Sequence, residues 1–172
     1  MRPASGENAI DVGLLQTASP GEAIHVQSPP APEPAAIDPS ELKGYFISRD
    51  GTTFAGAHLI VDLRGAKRLD DVEFIEKTLI EAAQAAGATL LHTHCHPFTG
   101  GGVSGVAVLS ESHISIHTWP EHGFAALDVF MCGKCDPLDT LPVLRRAFEP
   151  GAVDVQEILR GKAADMRGVK AA

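Results

Sequence analysis

The sequence predicts an α+β fold, a two-layer α/β sandwich with two helices on one face of a mostly antiparallel sheet, in the order βαβββαβ. Three observations predict it. Short apolar or alternating runs recur between Ala57 and Leu159, bounded by turn-forming residues. Two stretches, about 71–86 and 138–148, carry apolar residues at helical spacing. Between them, consecutive hairpin-linked strands run on without an intervening helix, which leaves antiparallel pairing as their natural arrangement.

Residues 1–52 differ in character from the rest of the chain. Ser19-Pro20-Gly21 and the run Ser28-Pro29-Pro30-Ala31-Pro32-Glu33-Pro34 hold much of the proline and little periodic apolar sequence. Such composition buries too little surface to offset chain entropy, so a disordered, Pro-rich extension with a polyproline-like middle is expected. The folded domain is expected over residues 53–161, beginning near Phe54. Ala57–Leu63 reads as a strand closed by Arg64-Gly65-Ala66. Asp70 is expected to cap a helix from Asp71 to Ala86, whose Val72, Ile75, Leu79, Ala82, Ala83 and Ala86 form one apolar face. Gly87 stops it.

Thr89–His94 is the next strand, and Thr99-Gly100-Gly101-Gly102 a flexible loop. The small, apolar run Val103–Leu109 suits a buried strand. Two more strands lie near Ile114–Thr118 and Phe124–Phe130. In the first of these, His113, Ser115 and His117 fall on one face and Ile114, Ile116 and Thr118 on the other. Asp136-Pro137 starts the second helix, Pro150-Gly151 ends it, and Val153–Leu159 alternates as a last strand. The tail, 162–172, reads as flexible.

Composition narrows the function classes. A chain of 172 residues suits one domain, and its formal charge of −8 lacks the basic excess of a nucleic-acid binder. No apolar run approaches the ~20 residues of a membrane-spanning helix. No secretory signal is visible at the N-terminus. Three cysteines make a disulfide framework a poor fit, so a reducing cytoplasm is the expected location.

The chemistry-bearing residues crowd one stretch, Leu109–Glu121, and the strand after it. Hydroxyls, imidazoles, a carboxylate and a thiol stand on strands that should bury carbon, where an unpaired polar group costs a few kcal/mol. Several chemistries compete for them. His92, His94 and His96 with Cys95, and the C-x-x-C of Cys132 and Cys135, offer zinc ligands. The spacing counts against zinc, because only one cysteine pair exists and Pro97 breaks the histidine strand; no metal is required. A thioredoxin-like pair would open a helix after a first strand, whereas Cys132 ends a late one. Ser112, His117 and Asp128 supply hydrolase residue types, but Ser112 lacks the G-x-S-x-G elbow.

A further reading uses more of the residues. Ser112 is placed to attack the carbonyl of Glu111, turning the Glu111–Ser112 amide into an ester. Removal of the serine α-hydrogen and elimination would then leave a pyruvoyl group at a new N-terminus. The steps need a carbonyl-polarising donor and a base of near-neutral pKa, and Ser104 and His117 are suitable types. The pyruvoyl ketone takes a substrate amine as a Schiff base and accepts the electrons of decarboxylation. Cys132 is a candidate proton donor.

Three blocks carry a resemblance: Gly102-Val103-Ser104-Gly105, the run Ser110–Glu121, and Asp128-Val129-Phe130-Met131-Cys132-Gly133. Together they resemble the bacterial S-adenosylmethionine decarboxylase proenzymes, over roughly Gly56 to Arg160. The resemblance implies a carboxy-lyase with a covalent pyruvoyl cofactor made from Ser112, by self-cleavage between 111 and 112 into chains 1–111 and 112–172. It implies His117 and Ser104 in processing, Cys132 as proton donor, Glu121 on the substrate ribose, and Phe98 and Trp119 on the adenine. His113 reads as a structural hydrogen-bonding residue, and Trp119 as core is the plainer alternative. His58, His92, His94 and His122 receive no role.

The implied substrate is S-adenosylmethionine, the implied product the aminopropyl donor for spermidine synthesis, and the implied assembly a homodimer of cleaved protomers. The same machinery would serve a decarboxylase of a basic amino acid, arginine or ornithine. An uncleaved, non-catalytic homologue would keep the fold alone. Nothing in the sequence implies a nucleic-acid or membrane partner.

Overall fold

A computed structural model describes residues 46–163. The proline-rich stretches before residue 46 and the tail from 164 lie outside the described residues. Seven strands and two helices run in the order β1 (Ile47–Arg49), β2 (Thr52–Arg64), α1 (Val72–Ala85), β3 (Leu90–Pro97), β4 (Val103–Leu109), β5 (Ser112–Trp119), β6 (Phe124–Cys132), α2 (Thr140–Phe148) and β7 (Ala152–Lys162). The expected α+β sandwich and antiparallel sheet are what form, with two differences in the order βαβββαβ. Four strands separate the helices, as the strand-by-strand reading has them, one more than that order allows. A short β1 precedes β2, inside the segment expected to be extension; Asp50 (φ 51°) and Gly51 (φ 77°) make the left-handed tight turn that joins the pair.

The sheet order is β3-β4-β5-β6-β2-β7, antiparallel throughout, with β1 pairing only the first residues of β2. Alternation decides what each face holds. Leu59, Val61 and Leu63 of β2, Ile114 and Ile116 of β5, and Leu127, Val129 and Met131 of β6 are all buried, packed with Ile75, Leu79, Ala82 and Ala83 of α1 and Val143, Leu144 and Phe148 of α2. Each fully buried Leu or Ile contributes about 1.5–3 kcal/mol relative to exposure. Both helices therefore lie on one face. The opposite face is left open, and the register sets its mostly polar residues in rows: His96, Ser104, His117 and Ala126; His94, Val106, Ser115 and Asp128; His92, Val108, His113 and Phe130.

Helix α1 is capped one residue later than expected. Asp71, not Asp70, accepts the Phe74 N–H, at 3.1 Å, and Arg68 donates to the same carboxylate, at 2.7 Å. Gly87 (φ 74°) then closes the helix as expected. Asp136 likewise caps a single 3-10 turn, Pro137–Asp139, before α2 begins. Among the described residues no helix is long and apolar enough to cross a membrane.

Candidate functional site

Everything turns on how β5 begins and ends. At its start Ser112 has φ 148°, a region that L-residues other than glycine rarely occupy, so the backbone at the Glu111–Ser112 bond is strained. The strain is held from three sides. Ser110 N–H donates to Thr89 O, at 2.9 Å. The Glu111 carboxylate accepts the Thr89 N–H, at 2.8 Å, and its hydroxyl, at 3.2 Å. The Glu111 carbonyl oxygen accepts from both the Cys132 N–H and the Cys132 Sγ, each at 3.0 Å. Two donors on one carbonyl oxygen are what a tetrahedral oxyanion at that carbon requires.

Ser112 Oγ lies 3.4 Å from Nδ1 of His113. That imidazole also packs edge-on against Phe130, with ring centroids 6.2 Å apart. Glu111 and Cys132 line a cavity of about 270 Å³ with Gly87, Ser110, Gly133, Lys134 and Cys135. Cys135 donates through Sγ to Gly87 O, at 3.3 Å. Burial pushes its thiol pKa up, with smaller contributions from the Glu111 carboxylate and Cys132.

The far end of β5 holds a second cavity, about 290 Å³, whose lining includes Phe98, His117, Trp119 and Glu121. Ser104 is the cross-strand partner of His117. The His117 and Trp119 rings lie 6.4 Å apart, and Trp119 leans on Phe124, at 5.4 Å. Trp119 is 40% exposed and Phe98 54%, so neither is spent on the core, and both line the cavity. Beneath them Thr118 ties the floor together: its hydroxyl donates to Leu69 O, at 2.6 Å, and accepts the Val103 N–H, at 2.8 Å.

The residues singled out in the sequence thus form two groups. Glu111, Ser112 and Cys132 meet at one end of β5; Ser104, His117, Phe98, Trp119 and Glu121 meet at the other. Ser112 and His117 are five steps apart along an extended strand, a span of about 16 Å, so one chain does not bring His117 to its own Ser112. The Ser-His-Asp grouping is not assembled: Asp128 sits 3.3 Å from His58 Nε2 and 3.4 Å from Ser115 Oγ.

Nor do the zinc-type residues converge. Cys95 packs against the helical layer, where burial and then Glu76 push its thiol pKa up to about 11, while His92 and His94 of the same strand are exposed. Among the described residues no group of three or more His, Cys, Asp or Glu is placed to hold a metal ion. Sequence reasoning gave His113 a structural hydrogen-bonding role without naming Ser112 as its partner, and it missed the Cys132 N–H on Glu111. Ser112 was legible as a neighbour of His113 in the chain. The N–H contact depends on the β5–β6 register.

Comparisons with known proteins point to one family. The sequence profile of the family described as S-adenosylmethionine decarboxylase matches residues 57–161. An S-adenosylmethionine decarboxylase proenzyme of Methanococcus maripaludis is 52% identical over 109 residues, covering 62% of this chain and 89% of the relative. One from Thermomicrobium roseum is 45% identical over 112 residues, covering 64% and 97%. Among solved structures, the adenosylmethionine decarboxylase of Aquifex aeolicus superposes with a TM-score of 0.56 at 36% identity, covering 63% of this chain and 92% of that one.

Proposed function

The chain belongs to the S-adenosylmethionine decarboxylase family, and on that ground we propose that it cleaves itself and then converts S-adenosylmethionine to decarboxylated S-adenosylmethionine and carbon dioxide. The observation that carries the reading is the Glu111–Ser112 peptide, strained at φ 148° and with its carbonyl doubly bonded by Cys132. Ser112 Oγ attacks the Glu111 carbonyl carbon and gives its proton to a base. The oxygen's developing charge rests on the two Cys132 donors. The carbon–nitrogen bond breaks as nitrogen takes a proton, leaving an ester. Loss of the Ser112 α-hydrogen expels the Glu111 carboxylate and leaves dehydroalanine, which takes up water and releases ammonia to give a pyruvoyl end.

The residues around the 111–112 bond fit that group: Ser112, which becomes it, and the Cys132 thiol on the Glu111 carbonyl. A pyruvoyl group supplies an electron sink for decarboxylation, the part pyridoxal plays elsewhere. Cys132 Sγ holds a proton beside the reacting position and delivers it to the substrate carbon after carbon dioxide leaves. Phe98 and Trp119 hold the adenine between ring faces, and the Glu121 carboxylate accepts the ribose hydroxyls.

The two groups at opposite ends of β5 complete one another in a homodimer. A second copy laid against the open face, its strands running the other way, brings its His117, Ser104 and aromatic cavity toward the first copy's Ser112. Each site then takes the cleavage end from one chain and the nucleoside end from the other.

Denaturing electrophoresis and carbon dioxide release test the reading together. Wild-type protein is expected to run as two fragments split before Ser112, Ser112→Ala as one, and only cleaved protein is expected to release carbon dioxide from S-adenosylmethionine. Wild-type protein that stays whole overturns self-processing. Cleaved protein that acts on arginine or ornithine instead overturns the substrate.

A further inference from the structure

Cys135 has no task in the reaction, yet it shares the 270 Å³ cavity with Cys132 and Glu111. Both thiols are free, and each donates only to a backbone carbonyl, Cys132 to Glu111 and Cys135 to Gly87. The chain between them, Gly133-Lys134, is a tight turn in which Gly133 takes φ 69°. A four-residue turn holds its first and last Cα atoms within about 7 Å, and a disulfide needs about 4.4–6.8 Å. The turn and the shared cavity therefore place the two cysteines at about the separation a disulfide spans.

We infer that Cys132 and Cys135 form a reversible redox pair, in which a low-molecular-weight disulfide oxidises the dithiol and switches the decarboxylase off by removing its proton donor. The consequence for turnover rests on Cys132 being that donor; formation of the bond does not. The step balances with glutathione disulfide as oxidant. The Cys132 thiolate attacks one sulfur of glutathione disulfide, forming a mixed disulfide and expelling one glutathione thiolate. Cys135, losing its proton, attacks the Cys132 sulfur and expels the second. Two thiols of the protein are oxidised and one disulfide is reduced to two thiols.

Cys132 is the point of entry, since it opens into the cavity on the reactive side. The buried Cys135, with its raised thiol pKa, reacts second, when an adjacent mixed disulfide is present for it to resolve.

The two cysteines both fall in the 112–172 fragment and Cys95 in the 1–111 fragment, so fragment masses separate the outcomes. Purified, cleaved wild-type protein is equilibrated with glutathione disulfide and then with dithiothreitol, alongside Cys135→Ser. In wild type the 112–172 fragment is expected to lose the mass of two hydrogens without retaining glutathione. Turnover is expected to fall by roughly 10²-fold or more, the scale of a lost proton donor, and to return on reduction. Cys135→Ser is expected to keep its basal turnover and to accumulate the glutathione adduct.

A wild-type fragment that stays reduced or halts at the adduct overturns the pair. An intramolecular disulfide that leaves turnover unchanged upholds the pair and overturns its use as a switch. Protein that never self-cleaves would instead sink the decarboxylase reading, while the mass of the peptide spanning 132–135 still decides the pair.

Discussion

Cys132 offers two donors to the Glu111 oxygen, and mutation separates them. Cys132→Ala removes Sγ but keeps the N–H at 3.0 Å, so the carbonyl stays polarised. The precursor is expected still to cleave, while turnover of the cleaved protein drops by roughly 10²–10⁴-fold. Fragment ratio and carbon dioxide release read the two effects separately, and normal turnover would remove Cys132 from the mechanism. His113 makes the complementary case. Its Nδ1 is 3.4 Å from Ser112 Oγ, so His113→Ala is expected to slow cleavage, measured as the half-time of precursor loss after refolding. Unchanged cleavage would return His113 to a packing role against Phe130. The thiol was singled out by residue type and place in the sequence. The N–H contact was not, because it exists only when Ser112 pairs with Met131, a match between residues nineteen apart that no local pattern specifies.

Among the elements, β5 was the most legible, since strict alternation of His113, Ser115 and His117 with Ile114, Ile116 and Thr118 leaves one register for burying the isoleucines. Helix α1 was legible in its apolar face and misread by one residue at its cap, because Asp70 and Asp71 are both capping types and only the Phe74 N–H distinguishes them. β1 was missed although Asp50-Gly51 is a strong hairpin signal; three residues carry too little pattern to register as a strand.

Two stability predictions belong at this scale. Thr118→Val strands the buried Val103 N–H and Leu69 carbonyl, and is expected to cost about 1–3 kcal/mol in denaturant unfolding, with Trp119 losing its floor. Asp71→Ala is expected to lower Tm by a few degrees at neutral pH. Arg68, then the Phe74 N–H, hold the Asp71 carboxyl below its ordinary value of 3.8. Its stabilisation is therefore complete above that value and fades as pH falls through the lower folded one, so variant and wild type should converge in acid.

At the scale of the whole molecule, composition and alternation made the sandwich legible, but not the distance between the two ends of its central strand. Ser112 and His117 look adjacent in the sequence. In the sheet they are about 16 Å apart, because an extended strand spends its length quickly. If each site draws on two chains, two inactive variants should repair one another. Ser112→Ala lacks the nucleophile but keeps the His117 end; His117→Ala keeps the nucleophile and lacks the imidazole. In a mixed dimer, the His117→Ala chain meets an intact His117 from its partner and should cleave. The Ser112→Ala chain has no hydroxyl to react and should stay whole. Co-expression with two different tags, isolation of the doubly tagged dimer and denaturing electrophoresis give the readout directly. Cleavage confined to the His117→Ala chain requires a shared site. Persistence of both chains at full length in a confirmed mixed dimer would mean that His117 serves its own chain, and that β5 must rearrange before Ser112 reacts.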